Sequence, residues 1–157
     1  MSEKSVITKE MQNAIGIESY PQAYDVEKGA IRKFAEAIED QNPIYTDEKK
    51  ACESGYLGII APPTFLRSME PGTVKSPIRI PYTEMLDGGS EWEYFEPVHV
   101  GDQITVTSKI ADLKESTGKL GPMLFKTDET KYINQLNQIV ARQTNTLIYY
   151  QPAKEQQ

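Results

Sequence analysis

Two carboxylates, two amides and a phenol stand close together in the stretch from Asp40 to Asp47, which reads DQNPIYTD. A polar loop between two helices can hold an active site, in which such groups move protons or orient a substrate. Tyr45 is the weak member for proton transfer, because a pKa near 10 makes tyrosine a poor base at neutral pH. A purely structural alternative is that Asp40, followed by Asn42 and Pro43, ends one helix and caps the next.

The helices on either side of this loop are predicted from apolar spacing and capping residues. Upstream, apolar residues recur every three to five positions and would share one face of a helix. Asp25 could cap this helix. These residues are Val26, Ala30, Ile31, Phe34, Ala35 and Ile38. Downstream, DEKKACES predicts a shorter helix that Thr46 or Asn42 could cap and that Gly55 could end in a left-handed conformation. The loop between the helices is therefore expected to be tight.

The rest of the chain predicts a third helix and then a sheet. Pro62 and Pro63 fit an extended segment that leads into a buried helix beginning near Pro63. Four later stretches are rich in β-branched and aromatic residues, which predicts strands. They are SEWEYFEPV, QITVTSKIADL, MLFKTDETKYIN and QIVARQTNTLIYY, with turn-like breaks at residues 88–89, 100–102, 116–118 and 135–137. We expect an α+β domain in which an antiparallel sheet wraps one long buried helix.

Size, charge and cysteine content narrow the classes of function. A chain of 157 residues fits one domain, residues 1–157, with flexible ends at about 1–10 and 152–157. The formal net charge is -6, and acidic and basic residues are interspersed. The sequence therefore has no basic stripe that would bind a phosphate backbone, and nucleic-acid binding is not expected. No secretory signal or apolar run of roughly 20 residues is present. With one cysteine and no Cys/His cluster, we expect a reduced, cytoplasmic setting and no metal or other cofactor.

The loop DQNPIYTD resembles the signature of the MaoC-like hydratases and dehydratases, in which a helix ends in Asp-x-Asn-Pro-aliphatic-His-x-Asp. Further stretches are similar to the branch called FAS1-like or MaoC N-terminal dehydratase domains; they are GYLGIIAPPTFLRSM, GGSEWEYFEPVHVGDQI and ARQTNTLIYY. The resemblance covers about Tyr20 to Tyr150. It implies the hot-dog fold, an antiparallel β-sheet wrapped around a central α-helix. It also implies a role in fatty acid metabolism, with a 2-enoyl or 3-hydroxyacyl thioester of coenzyme A or acyl carrier protein as substrate.

The resemblance implies roles for three residues of the loop. Asp40 matches the catalytic acid–base aspartate, Asn42 matches the asparagine that supports the loop, and Tyr45 stands where the family has its catalytic histidine. To replace that histidine, Tyr45 would need its pKa lowered by about 3 units, or about 4 kcal/mol. No Lys or Arg within the loop itself offers that help. We therefore predict that Asp40 and Tyr45 form a degenerate catalytic site, weak or inactive in the isolated chain.

By the same resemblance, the donors that stabilise the thioester oxygen would come from the region of residues 61–64. Pro62 and Pro63 have no backbone N–H to give. Thr64 or Phe65, or a side chain, would therefore have to serve, and Thr64 and Phe65 are candidate substrate-binding residues together with Asn42.

Loss of the histidine has an implication for assembly. In this branch, domains that lack it associate with a histidine-bearing hot-dog partner and help to shape the acyl-binding tunnel. The resemblance thus implies the non-catalytic subunit of a heteromeric (3R)-hydroxyacyl thioester dehydratase, with a homodimer as the competing assembly.

Two other functions stay open. Hot-dog proteins also include acyl-CoA thioesterases, in which Asp40 or Asp47 would activate water, and a non-enzymatic acyl-thioester-binding protein is the second alternative. We interpret His99, the only histidine, as a rim or sheet residue rather than a displaced base. Cys52 is expected to be a small buried side chain.

Overall fold

The computed structural model describes residues 5–152 and combines short helices with five strands. The helices are α1 Lys9–Ala14, α2 Lys28–Ala37 and α3 Glu48–Glu53, with 3-10 helices at Pro43–Tyr45 and Pro63–Ser68. The strands are β1 Gln22–Asp25, β2 Glu84–Tyr94, β3 Gln103–Gly118, β4 Gly121–Ile133 and β5 Ile139–Tyr150. The predicted α+β class is confirmed.

The strands form one antiparallel sheet in the order β1-β3-β4-β5-β2. The expected pairing of neighbours is confirmed for β3 with β4 and for β4 with β5. β2 differs, because it pairs with β5 at one edge of the sheet, and the short strand β1 pairs with the other side of β3. β1 escaped prediction because its four residues, QAYD, carry no alternating pattern.

Gly88 and Gly89 do not separate two strands, as their positions suggested, but form an irregularity inside β2. The pairing register with β5 shifts between Asp87 and Ser90. Gly89 has a φ of +111°, and a Cβ on Gly88 would lie 2.8 Å from the Thr146 carbonyl oxygen. The glycine pair therefore lets one strand pass through a bulge without leaving the sheet.

The two helices around the loop are present, but their caps differ from the prediction. Asp25 does not cap α2, because it belongs to β1 and faces Gln103; Glu27 occupies the cap without a side-chain hydrogen bond. α3 is capped neither by Thr46 nor by Asn42. Asp47 caps it by accepting a hydrogen bond from the Lys50 N–H at 3.1 Å. The predicted left-handed end at Gly55 is confirmed by a φ of +93°.

The third helix begins at Pro63 as predicted, but it is a six-residue 3-10 helix rather than a long central helix. Phe65 and Leu66 bury their side chains as expected. Pro71 and Pro77 follow within a few residues and oppose helical backbone, and residues 69–83 form no regular secondary structure. Among residues 5–152 the longest helix is α2, with ten residues, and it supplies buried Ile31 and Ala35.

One face of the sheet, here called the core face, carries two separate apolar clusters. The first cluster joins α2 and both 3-10 helices to sheet residues such as Ile104, Val106 and Tyr132. The second cluster lies under α1 and contains Met11, Ala14, Ile110, Leu113 and Leu124. The candidate loop therefore belongs to the first cluster, at one end of the molecule.

The N-terminal segment is held to the second cluster. The Ser5 hydroxyl and the Val6 N–H both donate hydrogen bonds to the Glu115 carboxylate, and Thr8 caps α1. The sequence led us to expect that residues 1–10 are loosely held. Within the described part of that range, the hydrogen bonds of residues 5–8 differ from this expectation. Residues 1–4 and 153–157, where the other flexible positions were expected, lie outside the described residues.

Candidate functional site

Asp40 and Asn42 shape the candidate loop through local hydrogen bonds. Asp40 follows Glu39, which has a left-handed φ of 57°. The Asp40 N–H donates a hydrogen bond to the Ala35 carbonyl at 2.9 Å. Its Oδ1 accepts from the Asn42 N–H at 3.1 Å, and the Asn42 Oδ1 accepts from the Ile44 N–H at 3.2 Å. These bonds end α2 and start the 3-10 helix, so both side chains have a structural role at the positions where the family has functional ones.

Tyr45 is a core residue. Its side chain is only 7% exposed and belongs to the first cluster. Burial raises its pKa, and the nearby charge of Asp40 and the Tyr56 phenol raise it further. A catalytic tyrosine base would need a lowered pKa, so the shift runs in the wrong direction for proton abstraction. At neutral pH, Tyr45 is a neutral phenol.

Tyr45 lines a cleft of about 320 Å³, which is called the acyl-sized cleft below. The size suits a small ligand. Its walls are mostly apolar or aromatic: Ile44, Tyr56, Ile60, Ala61, Pro62, Pro63, Leu66 and residues 94–98. Sequence reasoning missed Tyr56 as a lining residue, because nothing in the local sequence places the residue after the α3 turn beside the loop. Tyr94 and Phe95 lie at the end of the edge strand β2 and just after it.

Asp40 does not line the acyl-sized cleft. It opens instead onto a separate surface hollow with Arg32, Glu36 and Thr46. The two residues predicted as a catalytic pair are therefore close enough for Asp40 to act electrostatically on Tyr45, yet they do not face a common cavity.

The predicted donors for a thioester oxygen are mostly occupied. The Ala61 N–H donates to the Val98 carbonyl at 2.8 Å, and the Phe65 N–H donates to the Pro62 carbonyl at 2.9 Å. Phe65 packs edge-on against Phe34, with ring centroids 5.5 Å apart. Only the Thr64 N–H lacks an acceptor among residues 5–152, and neither Thr64 nor Phe65 lines the acyl-sized cleft.

His99 is a sheet-edge residue, as interpreted from the sequence. It forms an isolated bridge with Ile60, and its N–H donates to the Asp102 carboxylate at 2.8 Å. Its side chain lines a different hollow, together with Lys28 and Gln135. The alternation along residues 98–99 explains this, because Val98 faces the acyl-sized cleft and its neighbour faces away.

Cys52 is exposed, which corrects the expectation that it is buried. Ala51, one position earlier on α3, takes the buried place at 0% exposure. In residues 5–152, no group of three or more His, Cys, Asp or Glu side chains could hold a metal ion. No helix in that same range has the length and apolar character needed to cross a membrane.

Comparison with known proteins identifies a family. The model of the FAS1-like dehydratase domain region matches residues 13–143. A UPF0336 protein of Streptomyces coelicolor is 39% identical over 114 residues, which cover 68% of this chain and 75% of that protein.

Solved structures share the fold at lower identity. The ChsH1-ChsH2 complex from Mycobacterium tuberculosis superposes with a TM-score of 0.75 at 22% identity, covering 88% of this chain and 86% of that chain. The HadBC (3R-hydroxyacyl-ACP dehydratase) complex from the same organism gives 0.70 at 20% identity, covering 86% and 96%. The five-stranded sheet is therefore that of the hot-dog fold, and the chain belongs to the FAS1-like dehydratase domain family.

Proposed function

We propose that this chain is the non-catalytic, acyl-accommodating subunit of a thioester hydratase or dehydratase, and that a histidine-bearing hot-dog subunit supplies the catalytic base. The observation that carries the proposal is the state of Tyr45. At the position of the family's histidine stands a buried phenol whose pKa is raised. The substrate would be a 2-enoyl or 3-hydroxyacyl thioester of coenzyme A or acyl carrier protein.

The acyl-sized cleft supports the binding half of this proposal. Hydration of an enoyl thioester requires a base for water, donors for the developing oxyanion and an apolar space for the acyl chain. The cleft offers the last of these through Ile44, Ile60 and Leu66. Among the described residues the cleft is lined by no histidine and by one carboxylate residue, Glu96, and the Ala61 N–H beside it is already bonded. The chain is thus suited to hold an acyl group while another subunit moves the protons.

The edge strand β2 supports the assembly. Its outer edge has no partner strand in the described part of the chain, and a free edge of eleven residues is a template for strand addition. Met85, Leu86 and Tyr94 on this strand are 53%, 43% and 46% exposed. Tyr94 also lines the acyl-sized cleft, so a subunit docked along β2 would lie next to it. The similar ChsH1-ChsH2 and HadBC structures are complexes, in agreement with such an arrangement.

The test is co-expression with a hot-dog protein that carries Asp-x-Asn-Pro-x-His and is encoded beside this chain. We expect the two to co-purify and to hydrate trans-2-enoyl-CoA or the corresponding acyl carrier protein thioester, while this chain alone does not. Tyr45→Phe in this chain should leave kcat of the complex unchanged. Alanine in place of the partner's motif histidine should abolish turnover.

Other results would contradict the proposal. If the isolated chain hydrated enoyl thioesters at the rate of the complex and Tyr45→Phe abolished that activity, the non-catalytic assignment would be wrong. Release of free thiol from an acyl-CoA, without hydration, would identify a thioesterase instead.

A further inference from the structure

A second cavity, of about 410 Å³, lies between the core face of the sheet and the irregular segment of residues 71–80. It is called the sheet cavity here. One wall is apolar and includes Ile17, Ile78 and Ile80. The sheet side includes Lys126, Asp128 and Tyr149, together with Lys109, whose ammonium pairs with Glu129. The sheet cavity shares no lining residue with the acyl-sized cleft, so it is a distinct space.

An ion pair forms part of the polar wall. Because side chains alternate along β4, Lys126 and Asp128 lie on the core face between Leu124 and Thr130, which are 0% and 8% exposed. The Lys126 ammonium donates to the Asp128 carboxylate, and the two side chains are only 17% and 20% exposed. Neither side chain makes another hydrogen bond within residues 5–152.

Stability alone does not account for an ion pair at this place. Both ions lose solvation when they are buried, and apolar side chains of similar volume in place of such a pair are often as stable or more so. The neighbouring Tyr149 is a neutral phenol, because burial and the charge of Asp128 raise its pKa. The pair is therefore a charged feature beside a cavity, on a face that carries buried apolar side chains and the hydrogen-bonded hydroxyls of Thr130 and Ser108.

The unused hydrogen-bonding capacity of the pair defines the ligand it suits. The ammonium carries three donors and the carboxylate carries about four acceptor positions. The hydrogen bond between Lys126 and Asp128 uses only one donor and one acceptor of these. A hydroxyl group both donates and accepts, so it can bond to Asp128 and Lys126 at once without adding charge. A carboxylate or an amine would face a like charge. We propose that the sheet cavity binds a neutral apolar molecule or chain that carries a hydroxyl group, and that Lys126 and Asp128 recognise this hydroxyl.

Methyl NMR of the full chain, labelled at the isoleucine δ1 positions, tests the proposal. The methyl groups of Ile78, Ile80 and Ile110 report on the sheet cavity, and those of Ile44 and Ile60 report on the acyl-sized cleft. We expect 1-octanol to shift the first group and to bind about tenfold tighter there than octanoate or octylamine. Equal binding of the three probes, or shifts confined to the second group, would overturn the proposal.

Two variants separate recognition from folding. Lys126→Met combined with Asp128→Leu keeps the volume and should weaken 1-octanol binding about tenfold without lowering stability. Lys131→Met is the matched control, since Lys131 lies on the same strand but pairs with Glu18 on the opposite face of the sheet. Asp128→Asn should improve octanoate binding, because it leaves the Lys126 charge unpaired. Unchanged affinities in both cavity variants would exclude a role for the pair.

The hydroxyl could belong to a free alcohol or to a thioester-bound chain. Titration with octanoyl and 8-hydroxyoctanoyl pantetheine distinguishes the two sources. If the hydroxylated thioester shifts the sheet-cavity methyl groups and the plain one does not, the ligand is an acyl chain. If only 1-octanol shifts them, the ligand is a free alcohol. These readouts do not involve a partner subunit, so they stand whether or not the assembly proposed above is found.

Discussion

Burial and then the charge of Asp40 raise the pKa of Tyr45, yet the side chains of Asp40 and Tyr45 face different hollows of the surface. In a working acid–base pair, both groups must reach the same substrate atoms. Here the phenol belongs to the core and the carboxylate belongs to a loop bonded to itself through the Asn42 N–H. The loop thus keeps most residues of the family's active-site motif, while Tyr45 packs in the core and Asp40 stabilises the turn of the chain.

Tyr45 is expected to matter for stability rather than for turnover. Tyr45→Ala removes a ring that is 93% buried and should lower the free energy of unfolding by about 3 to 5 kcal/mol. Tyr45→Phe keeps the ring and should change it by less than about 1 kcal/mol. Urea denaturation measures both. Similar losses for the two variants would show that the hydroxyl, not the ring, is the important part.

The unfolding free energy should fall at high pH because of buried tyrosines. Burial raises the pKa of Tyr132 far above 10, so the folded protein keeps a proton that the unfolded chain releases. The contribution of the Tyr132 phenol to the free energy of unfolding is present below pH 10. It is lost above pH 10 at about 1.4 kcal/mol per pH unit for one phenol. Tyr132→Phe should make the fall between pH 10 and 11.5 shallower by that amount. The same slope in both proteins would contradict the prediction.

Gly72 holds residues 71–80 against the chain before β1. A Cβ at this position would lie 2.1 Å from the Tyr20 carbonyl oxygen and 3.2 Å from the Pro21 carbonyl carbon. Gly72→Ala must therefore push backbone apart and should cost about 1 to 3 kcal/mol. Gly29→Ala on α2 is the matched control: a Cβ there would meet no atom within 4 Å outside its own helix turn, and removing a helical glycine should stabilise by about 0.5 to 1 kcal/mol. Thermal unfolding of the pair gives the comparison, and equal effects would refute it.

A charge on the free edge should block assembly without unfolding the chain. Leu86→Lys on β2 places an ammonium where a partner strand would dock and should weaken association at least about tenfold. The side chain is already 43% exposed, so the monomer should lose less than about 0.5 kcal/mol. Leu57→Lys, at a residue 92% exposed and away from β2, should associate normally. Sedimentation with the histidine-bearing partner measures both, and intact assembly of the Leu86 variant would rule out this edge.

The strands and the two helices around the loop were predictable because their signals are local. Alternation along β3, β4 and β5 and the apolar face of α2 are written in consecutive residues. The cap of α3 was misassigned because Thr46, Asn42 and Asp47 are all good capping types, and only backbone geometry selects Asp47. The location of β2 beside β5 depends on how residues 95–102 carry the chain from β2 to β3 across the sheet, and no local pattern specifies that path.

The candidate site shows the same limit. The sequence identified Tyr45 as the departure from the family motif, but it could not reveal that Asp40 opens onto another hollow. Lys126 and Asp128 were predictable as neighbours on one face of a strand. The sequence could not show that this face of β4 is the covered one. Each face of β4, and of the strands paired with it, carries both polar and apolar residues.

The division of the core into two clusters has a consequence for cooperativity. β3 carries Val106 into the first cluster and Ile110 into the second, and β4 likewise carries Tyr132 and Leu124. The two ends of the molecule therefore share backbone ladders while their side chains pack separately. Such an architecture can open at one end while the other stays folded. Amide hydrogen exchange in α1 and around the acyl-sized cleft should accordingly report two different opening energies within one continuous sheet.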